Sequence, residues 1–228
     1  WDIGDVIPFK IEGTLPNNYT SYKKYTLKFH DKAEKGLTFN KDSVKVYVDN
    51  TEITDKSKYR VVTDNLTDGC TFEVIFDEMK NIQEATNNSI VRVEYTSTLN
   101  EDAVLGEHGN KNTMHMEFSN NPNNEQGGEF GETPDDTVIV FTYKVDVNKV
   151  DENGNKLTGA EFTLEKKIKG TKDTWKKITK VSGTADDLFE FKGIDDGDYR
   201  LTETKAPTNY DKLSEPIYFT VKADHTIV

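Results

Sequence analysis

Two ionisable side chains stand where a β-strand would normally carry apolar ones. In "TYKVDVNKV", Lys149 shares a strand face with Val145 and Val147, and in "YRLTETKAP", Glu203 shares a face with Leu201. Burial lowers the pKa of a lysine amine and raises that of a carboxyl group, because each charged form loses its hydration. The pattern therefore predicts a lysine that can be a neutral nucleophile and a glutamate that can hold and transfer a proton.

Candidate residues of this kind also have plainer interpretations. A register shift of one residue would turn Glu203 to the solvated face, where most strand glutamates lie. Asp31, which follows the run "YTLKFH", is an ordinary turn residue if its side chain bonds its own backbone. Turn chemistry also accounts for Asn112 and Asn120 in "NKNTMHMEFSN". Spacing alone leaves the chemical and the structural interpretations of these residues open.

Composition excludes several classes of partner. The 228 residues carry a formal net charge of −12, whereas a nucleic-acid groove needs clustered Lys and Arg. No apolar run approaches the roughly 20 residues that span a bilayer, so we expect no membrane contact. The hydrophobic content of 34% is enough for two domain cores, and a single cysteine, Cys70, excludes an internal disulfide.

No metal, cofactor or hydrolytic site is indicated. The histidines lack the spacing of a zinc motif. "DENGN" resembles the start of a calcium loop, but Phe162 stands at the closing position and cannot bind a cation. A carbohydrate-active sandwich would need paired carboxylates in a cleft lined by aromatic residues, and the acidic residues show no such pairing in sequence. We therefore expect that the protein is not an enzyme.

The chain is organised as two series of short strand runs. Six runs rich in β-branched and aromatic residues, from "DVIPFKIEG" to "NTMHMEFSN", form the first series. The segment 120–136 is polar and rich in Gly, Asn and Pro, and the second series follows it. "DEMKNIQEATNN" is the only segment suited to one or two helical turns. The pattern predicts an all-β fold of two tandem immunoglobulin-like β-sandwich domains, at 1–134 and 135–228.

The second half resembles the collagen-adhesin B-type fold of the pilus shaft subunits that sortase assembles in Gram-positive bacteria. The resemblance rests on "VNKVDENGNKLTGAEFTL" near its start, "GDYRLTETKAPTNY" near its end, and the connecting strand "DLFEFKGID". The first half resembles the middle domain of the same pilins, an A-type-like sandwich, through "WDIGDVIPFKIEGTLPNNY", "YTLKFHDKAEKGLTF" and "NTMHMEFSNNPN". The chain is thus similar to a major pilin over nearly its whole length.

In this family such domains form an intramolecular amide, an isopeptide bond, between a Lys and an Asn side chain, promoted by a neighbouring acid. The resemblance implies that Lys149 is the nucleophile of the second domain. It implies that Glu203 is the promoting acid, which donates a hydrogen bond to the Asn amide oxygen and carries protons as ammonia leaves. The family's Asn lies on a last strand that follows "EPIYFTVKADHTIV". We therefore expect this sequence to lack the last strand of the domain and to leave its bond unmade.

For the first domain, the resemblance implies that Asp31 is the promoting acid. The electrophile would be Asn112 or Asn120 on the final strand, and Asn112 is preferred because it begins that strand. The reacting lysine is expected on a strand upstream of "WDIGD". Lys10 is a poor substitute, because its apolar neighbours in "IPFKIEG" share the opposite strand face.

The function implied by the resemblance is that of a structural shaft subunit in a covalently polymerised cell-surface pilus. The expected partners are other pilin subunits, joined head-to-tail by sortase. The expected location is extracellular, in a pilus anchored to the cell wall. The alternative is a surface adhesin stalk or ligand-binding module of the same fold, with a host surface ligand as its partner. An exposed apolar or aromatic groove between the two domains would favour that alternative.

Overall fold

The computed structural model describes residues 1–126, 128–178, 182–185 and 188–223, with 182–185 described as backbone. The chain divides into two compact units, which we call domain 1 and domain 2. Domain 1 consists of Gly4–Ala103 and Asn110–Val140. Domain 2 consists of Trp1–Ile3, Val104–Gly109 and the chain from Phe141 onward.

Domain 1 is a pair of antiparallel sheets. Its strands, in chain order, are β1 (Val6–Thr14), β2 (Leu27–Ala33), β3 (Leu37–Val48), β4 (Thr51–Glu52), β5 (Arg60–Val62), β6 (Phe72–Phe76), β7 (Ile90–Leu99), β8 (Asn110–Ser119), β9 (Phe130–Glu132) and β10 (Asp136–Val140). One sheet has the order β1-β7-β3-β4, and the other has the order β10-β8-β2-β6-β5, with β9 also paired to β8. Strands that are far apart in sequence, such as β2 and β8, are therefore neighbours.

The core of domain 1 lies between these two sheets. β7 alternates strictly, so that Val91, Val93 and Tyr95 are buried while the residues between them are partly exposed. From the other sheet, Phe29 and Phe72 are fully buried in the same cluster. The rings of Phe72 and Tyr95 meet edge to face with 4.9 Å between their centroids. The two sheets thus pack face to face as a β-sandwich.

Helical structure in the described residues is limited to single 3-10 turns. They span Tyr19–Ser21, Lys56–Lys58 and Met79–Asn81. The last of them lies in "DEMKNIQEATNN", as predicted, and Glu78 caps it by accepting a hydrogen bond from the N–H of Lys80. The expectation that no other segment forms a helical turn is wrong, because the first two turns lie outside it. None of the helices in this part of the chain has the length and apolar character needed to cross a bilayer.

Domain 2 is a second pair of antiparallel sheets. Its strands are β11 (Tyr143–Asn148), β12 (Glu161–Lys167), β13 (Trp175–Lys177), β14 (Ser182–Ala185), β15 (Leu188–Ile194), β16 (Gly197–Lys205) and β17 (Ile217–Val221). The sheet orders are β11-β15-β14 and β13-β12-β16-β17. One buried cluster joins Leu164 and Leu201 of the second sheet to Phe191 and Ile194 of the first. Both domains are therefore sandwiches, and the predicted all-β tandem fold is confirmed.

The boundary between the domains lies later in the chain than the sequence analysis places it. The predicted boundary after residue 134 puts β10 in the second domain, but β10 pairs with β8 of domain 1, with Val138 opposite Asn112. β9, which lies inside the polar segment 120–136, also pairs with β8. This segment is therefore partly built into the sheet. The local sequence does not reveal this, because a strand's place in a sheet depends on a partner that is distant in sequence.

Candidate functional site

Asp31 and Asn112 lie side by side on neighbouring strands of domain 1. β2 and β8 pair so that Asp31 is opposite Met114 and Ala33 is opposite Asn112, which puts Asp31 and Asn112 at diagonal positions on one sheet face. That face is turned inward, and the exposed fraction is 0% for Asp31 and 4% for Asn112. Nδ2 of Asn112 donates a hydrogen bond of 2.9 Å to Oδ2 of Asp31. The structure thus brings together two residues that the sequence singled out.

A third polar group, the hydroxyl of Tyr95, reaches this pair from the opposite sheet. Its O–H donates a hydrogen bond of 2.6 Å to Oδ2 of Asp31. Its oxygen accepts a hydrogen bond of 2.8 Å from Nδ2 of Asn112. Tyr95 was not identified from the sequence, although the alternation along β7 marks it as inward-facing. The three side chains form a closed hydrogen-bonded triangle between the two sheets.

Aromatic rings pack on Tyr95, and burial shifts the pKa values of Asp31 and Tyr95. Phe9 stacks on the ring of Tyr95 at 5.3 Å, and Phe72 meets the same ring edge to face. Burial raises the pKa of Asp31 to about 6, while the hydrogen bonds from Tyr95 and Asn112 act in the opposite direction. Burial, followed by the charge of Asp31, raises the pKa of Tyr95 far above its usual value. Asp31 is therefore partly protonated near neutral pH, and Tyr95 keeps its proton.

Two oxygen atoms of the triangle have no hydrogen-bond partner in the part of the chain that the structure describes. They are Oδ1 of Asp31 and Oδ1 of Asn112, and both are buried. A buried acceptor without a donor costs about 1 to 3 kcal/mol. The amine of Lys10 does not supply that donor, because it lies beside Glu12 with 58% of its side chain exposed. The outward orientation predicted for Lys10 is confirmed.

Asn120, the other candidate electrophile, lies at the far end of β8. The strand pairing runs from Asp31 opposite Met114 to Leu27 opposite Phe118, and Asn120 follows the strand beyond that point. Its side chain is exposed, and its backbone N–H donates to the carbonyl oxygen of Glu129. The structure therefore brings Asn112, and not Asn120, to Asp31.

Lys149 and Glu203 meet in domain 2. Nζ of Lys149 lies 3.1 Å from Oε1 of Glu203, whose exposed fraction is 1%. This contact is an ion pair in which Oε1 accepts no hydrogen bond of ordinary geometry. The other carboxylate oxygen, Oε2, accepts a hydrogen bond of 2.8 Å from the N–H of Leu213. The inward orientation predicted for both side chains is confirmed.

The alternation of the strands explains this placement. Tyr199, Leu201 and Glu203 are the buried residues of β16. Lys149 directly follows β11, whose inward positions include Val147. Leu213 was not identified from the sequence, because it lies in the loop that follows β16 and contributes a backbone group rather than a side chain. The Asn that the resemblance implies for this domain would follow residue 228, outside the described residues.

Three residues of domain 1 bring atoms that can bind metals close together. Atoms of His30, Asp68 and Cys70 lie within 4.8 Å of one another. Nδ1 of His30 is 2.8 Å from Oδ2 of Asp68 and 3.2 Å from Oε1 of Glu73, so the contacts of an imidazole with two carboxylates account for this group. Burial, with the hydrogen bond and charge of Asp68, raises the pKa of Cys70 to about 12 and keeps the thiol protonated. Sequence spacing missed the group because it combines β2 with a loop.

Two family models match the chain, one for each half. The first is described as "Gram-positive pilin backbone subunit 2, Cna-B-like domain" and matches residues 3–122, just over half of the chain. The second is described as a prealbumin-like fold domain and matches residues 143–228. The first match includes Asp31, Tyr95 and Asn112. Its description is Cna-B-like, whereas the resemblance of the first half predicts an A-type-like sandwich there.

Individual proteins show the same likeness. The trypsin-resistant surface T6 protein of Streptococcus pyogenes serotype M6 is 25% identical over an alignment 234 residues long, gaps included, which covers 93% of this chain and 41% of that relative. The chain thus spans less than half the length of the curated relative it matches. A solved 35 kDa C-terminal fragment of the major pilin GBS80 of Streptococcus agalactiae has a TM-score of 0.73 and 24% identity, over 96% of this chain and 85% of the fragment. The major pilin BcpA of Bacillus cereus has a TM-score of 0.64 and 21% identity, over 97% and 62% of the two chains. These structures share the fold of this chain.

Proposed function

The chain belongs to the family of Gram-positive pilin backbone subunits, and we propose that it is a segment of the structural shaft of a covalently polymerised cell-surface pilus. Members of this family are structural proteins rather than enzymes. The two sandwich domains, each with its own core, support the proposal, because such units can be repeated along a fibre. In this proposal sortase joins the subunits head-to-tail, and the pilus is anchored to the cell wall.

The contact between Asp31 and Asn112 supports the second part of the proposal, which is an isopeptide crosslink in domain 1. The neutral amine of a lysine from the segment preceding Trp1 attacks Cγ of Asn112, and a new C–N bond forms. The bond from Cγ to Nδ2 then breaks, and this nitrogen leaves as ammonia after taking up the proton that the amine loses. Asp31 carries that proton. Its raised pKa supports this role, because the carboxyl group must be protonated for part of the time.

The buried oxygens without partners also support the crosslink. Oδ1 of Asp31 and Oδ1 of Asn112 are acceptors in an apolar interior. An incoming lysine amine carries N–H donors, and a hydrogen bond to Oδ1 of Asp31 would hold it beside Cγ of Asn112. Binding of the nucleophile and its correct placement would then be a single event.

In domain 2 we propose the same reaction with Lys149 as the nucleophile and Glu203 as the acid. The two side chains are already in contact at 3.1 Å, and the apolar face of β11 leads directly to the lysine. The N–H of Leu213 holds Oε2 of Glu203, which leaves Oε1 turned toward the amine. The Asn that completes this site would come from a segment that follows the present sequence.

Crosslinks of this kind would stabilise each domain and change how it transmits force. A covalent link that closes a loop of roughly 100 residues contributes about 4 to 5 kcal/mol in the chain-entropy model developed for disulfides. Under tension, the force would pass through a covalent bond instead of through ladder hydrogen bonds that contribute about 1 kcal/mol each. A shaft built from such domains would resist extension.

The adhesin alternative has less support from domain 1. An apolar cleft there, lined by Leu15, Tyr22, Tyr25, Met116 and Phe118 among others, encloses about 250 Å³. Binding sites for small molecules usually enclose about 300 to 1,000 Å³. The cleft is therefore small even for a compact ligand, and Asp31, Tyr95 and Asn112 do not line it.

The intact mass of the parent protein, extended beyond both ends of this sequence, tests the proposal. We expect a mass below the sequence mass by one ammonia for each crosslinked domain. The Asn112→Ala variant should lack one of these losses, and Glu203→Ala should lack the other. Asn120→Ala is the matched control and should keep both losses, because Asn120 is exposed and does not contact Asp31. A wild-type mass equal to the sequence mass would overturn the crosslinks.

A further inference from the structure

The hydroxyl of Tyr95 touches both reacting side chains of domain 1, yet the reaction described above gives it no part. It lies 2.6 Å from Oδ2 of Asp31 and 2.8 Å from Nδ2 of Asn112. Tyr95 comes from β7, in the sheet opposite β2 and β8, so strand pairing does not account for its position. A hydroxyl brought into an apolar core needs hydrogen-bond partners, and here those partners are the two groups of the proposed reaction.

We propose that Tyr95 is a catalytic residue of the domain 1 crosslink. Its O–H and that of protonated Asp31 together bind the amide oxygen of Asn112 and stabilise the negative charge that grows there as the lysine attacks. This inference rests on the crosslinking function proposed above.

The amide of Asn112 can present either its nitrogen or its oxygen to these two groups, by rotation about the Cβ–Cγ bond. With Asp31 ionised, Nδ2 faces Asp31 and Tyr95, as the structure shows. Protonation turns the carboxyl group of Asp31 from an acceptor into a donor, and the O–H of Tyr95 can then turn to the amide. The amide oxygen becomes the favoured neighbour of both O–H groups. The present separations of 2.9 Å and 2.8 Å also suit O–H donors to an oxygen.

Two donors aimed at one amide oxygen form an oxyanion hole. As the lysine nitrogen bonds to Cγ, an electron pair of the C=O bond moves onto the oxygen, and it returns when the C–N bond to the departing nitrogen breaks. Asp31 gives a proton to that nitrogen and receives one from the lysine amine, so atoms and charge balance. Tyr95 keeps its proton throughout, because burial, the largest cause, raises its pKa whether or not Asp31 is ionised.

The surroundings of Tyr95 make such donors effective. The rings of Phe9, Phe39 and Phe72 each contact the ring of Tyr95, with centroids at 5.3, 5.8 and 4.9 Å. Tyr95, Asp31 and Asn112 are all buried, so the hydroxyl acts in an apolar interior. An O–H donor stabilises a developing charge more strongly in such a medium than in water, and its orientation is fixed before the reaction begins.

A purely structural role for Tyr95 predicts the opposite effect when the hydroxyl is removed. The hydrogen bond from Tyr95 lowers the pKa of Asp31. Without it, more Asp31 would be protonated at neutral pH, and a reaction limited by that protonation would become faster. The oxyanion role predicts a slower reaction at every pH, including the pH range in which Asp31 is already protonated.

The test measures the rate of crosslinking in the parent protein that includes the preceding lysine. The protein is made by cell-free translation, quenched with acid at intervals, and digested so that the ammonia loss of domain 1 can be followed by mass spectrometry. Wild type, Tyr95→Phe and Tyr59→Phe are compared from about pH 5 to about pH 8, on both sides of the pKa of Asp31. Tyr59 is the matched control, because it is a buried tyrosine of domain 1 whose hydroxyl bonds Lys56.

We expect Tyr95→Phe to crosslink about a hundredfold more slowly, or slower still, at every pH, and Tyr59→Phe to match the wild type. A folded Tyr95→Phe protein that reacts at the wild-type rate or faster would overturn the role of Tyr95 and leave the crosslink standing. A wild-type protein that loses no ammonia would overturn both. If Tyr95→Phe does not fold, 3-fluorotyrosine at position 95 keeps the shape and the hydroxyl. Its more acidic O–H should raise the rate, and an unchanged rate would also overturn the role.

Discussion

Asp31 and Asn112 occupy diagonal positions on adjacent strands and are joined by an amide-to-carboxylate hydrogen bond of 2.9 Å. Neither residue lies on an edge of the sheet, because β2 is flanked by β6 and β8, and β8 is flanked by β2 and β10. Strand pairing on both sides therefore holds each residue in place. Reactive groups that must stay within a few tenths of an ångström of a productive geometry benefit from such rigid support.

The buried carboxyl group of Asp31 should make domain 1 less stable as the pH rises. Its pKa increases from 3.8 to about 6 on folding, so the folded state binds the proton more tightly than the unfolded state does. The stabilisation by this proton is therefore complete below about pH 4 and is lost as the pH rises through about 6. The loss should amount to about 3 kcal/mol of unfolding free energy.

Urea unfolding of wild type and Asp31→Asn at a series of pH values measures this loss, with methyl NMR signals of core residues such as Val93 reporting on domain 1. Asp31→Asn cannot ionise and should lack the pH dependence. Asp77→Asn is the control, because Asp77 is exposed and its bond to Arg60 lowers its pKa. An Asp31→Asn variant that keeps the wild-type dependence would contradict the prediction.

Loss of the Glu203 carboxylate should destabilise domain 2. Glu203→Ala leaves the amine of Lys149 without its counter-charge and the N–H of Leu213 without an acceptor. We expect Glu203→Ala to lower the unfolding free energy of domain 2 by about 2 to 4 kcal/mol. This is less than the largest losses seen when a buried ion pair is broken, because Lys149 keeps some solvent contact. Glu203→Gln should cost less, since its amide oxygen can still accept from Leu213.

Urea unfolding followed by the fluorescence of Trp175, which lies on β13, measures this change. The matched control is Glu161→Ala, which removes an exposed ion pair with Lys205 between neighbouring strands. Glu161→Ala should lower the unfolding free energy of domain 2 by less than about 1 kcal/mol. Equal losses in Glu203→Ala and Glu161→Ala would mean that the contact with Lys149 contributes no more than a surface pair.

The thiol of Cys70 should react slowly with alkylating reagents while the protein is folded. Burial raises its pKa to about 12, and Asp68 acts in the same direction. Because the thiolate is the reactive species, we expect iodoacetamide to react about a hundredfold more slowly with the folded protein than with the protein unfolded in urea. Asp68→Asn should speed the reaction of the folded protein, and Asp55→Asn, an exposed control, should not. Mass spectrometry gives these rates, and equal rates for folded and unfolded wild type would contradict the prediction.

Pulling the parent protein by its ends should leave the part of domain 1 before Asn112 unextended. The proposed bond joins an upstream lysine directly to Asn112, so the chain between them carries no tension. Asn112→Ala should restore a long unfolding step in single-molecule force measurements, whereas Asn120→Ala should behave as the wild type does. Wild-type steps as long as those of Asn112→Ala would argue against the crosslink.

Local sequence was enough to predict the orientation of Lys149 and Glu203, because the two-residue period of a strand is a local property. It favoured Asn112 over Asn120 only because Asn112 begins its strand, whereas contact with Asp31 depends on the register of β2 against β8. The two residues that meet there, Asp31 and Asn112, are 81 positions apart in the chain.

The contribution of Tyr95 was beyond sequence reasoning for a related reason. Its position on β7 predicts only that it points inward, whereas its contact with Asp31 depends on how one sheet packs on the other. The assignment of β10 to domain 1 depends in the same way on pairing with β8. Alternation thus predicts the face of a residue, while its partners follow from pairing and packing between distant segments.

The pairing of Val138 with Asn112 places a further strand of domain 1 beyond the proposed crosslink. The chain after Asn112 continues through the rest of β8 and through β9 to β10, and this stretch would lie outside the closed covalent loop. Under a sudden pull, β10 could peel away from β8 while the rest of the domain stayed locked. The shaft would then lengthen by the separation of β10 from β8, and it would return to its original length when the two strands paired again.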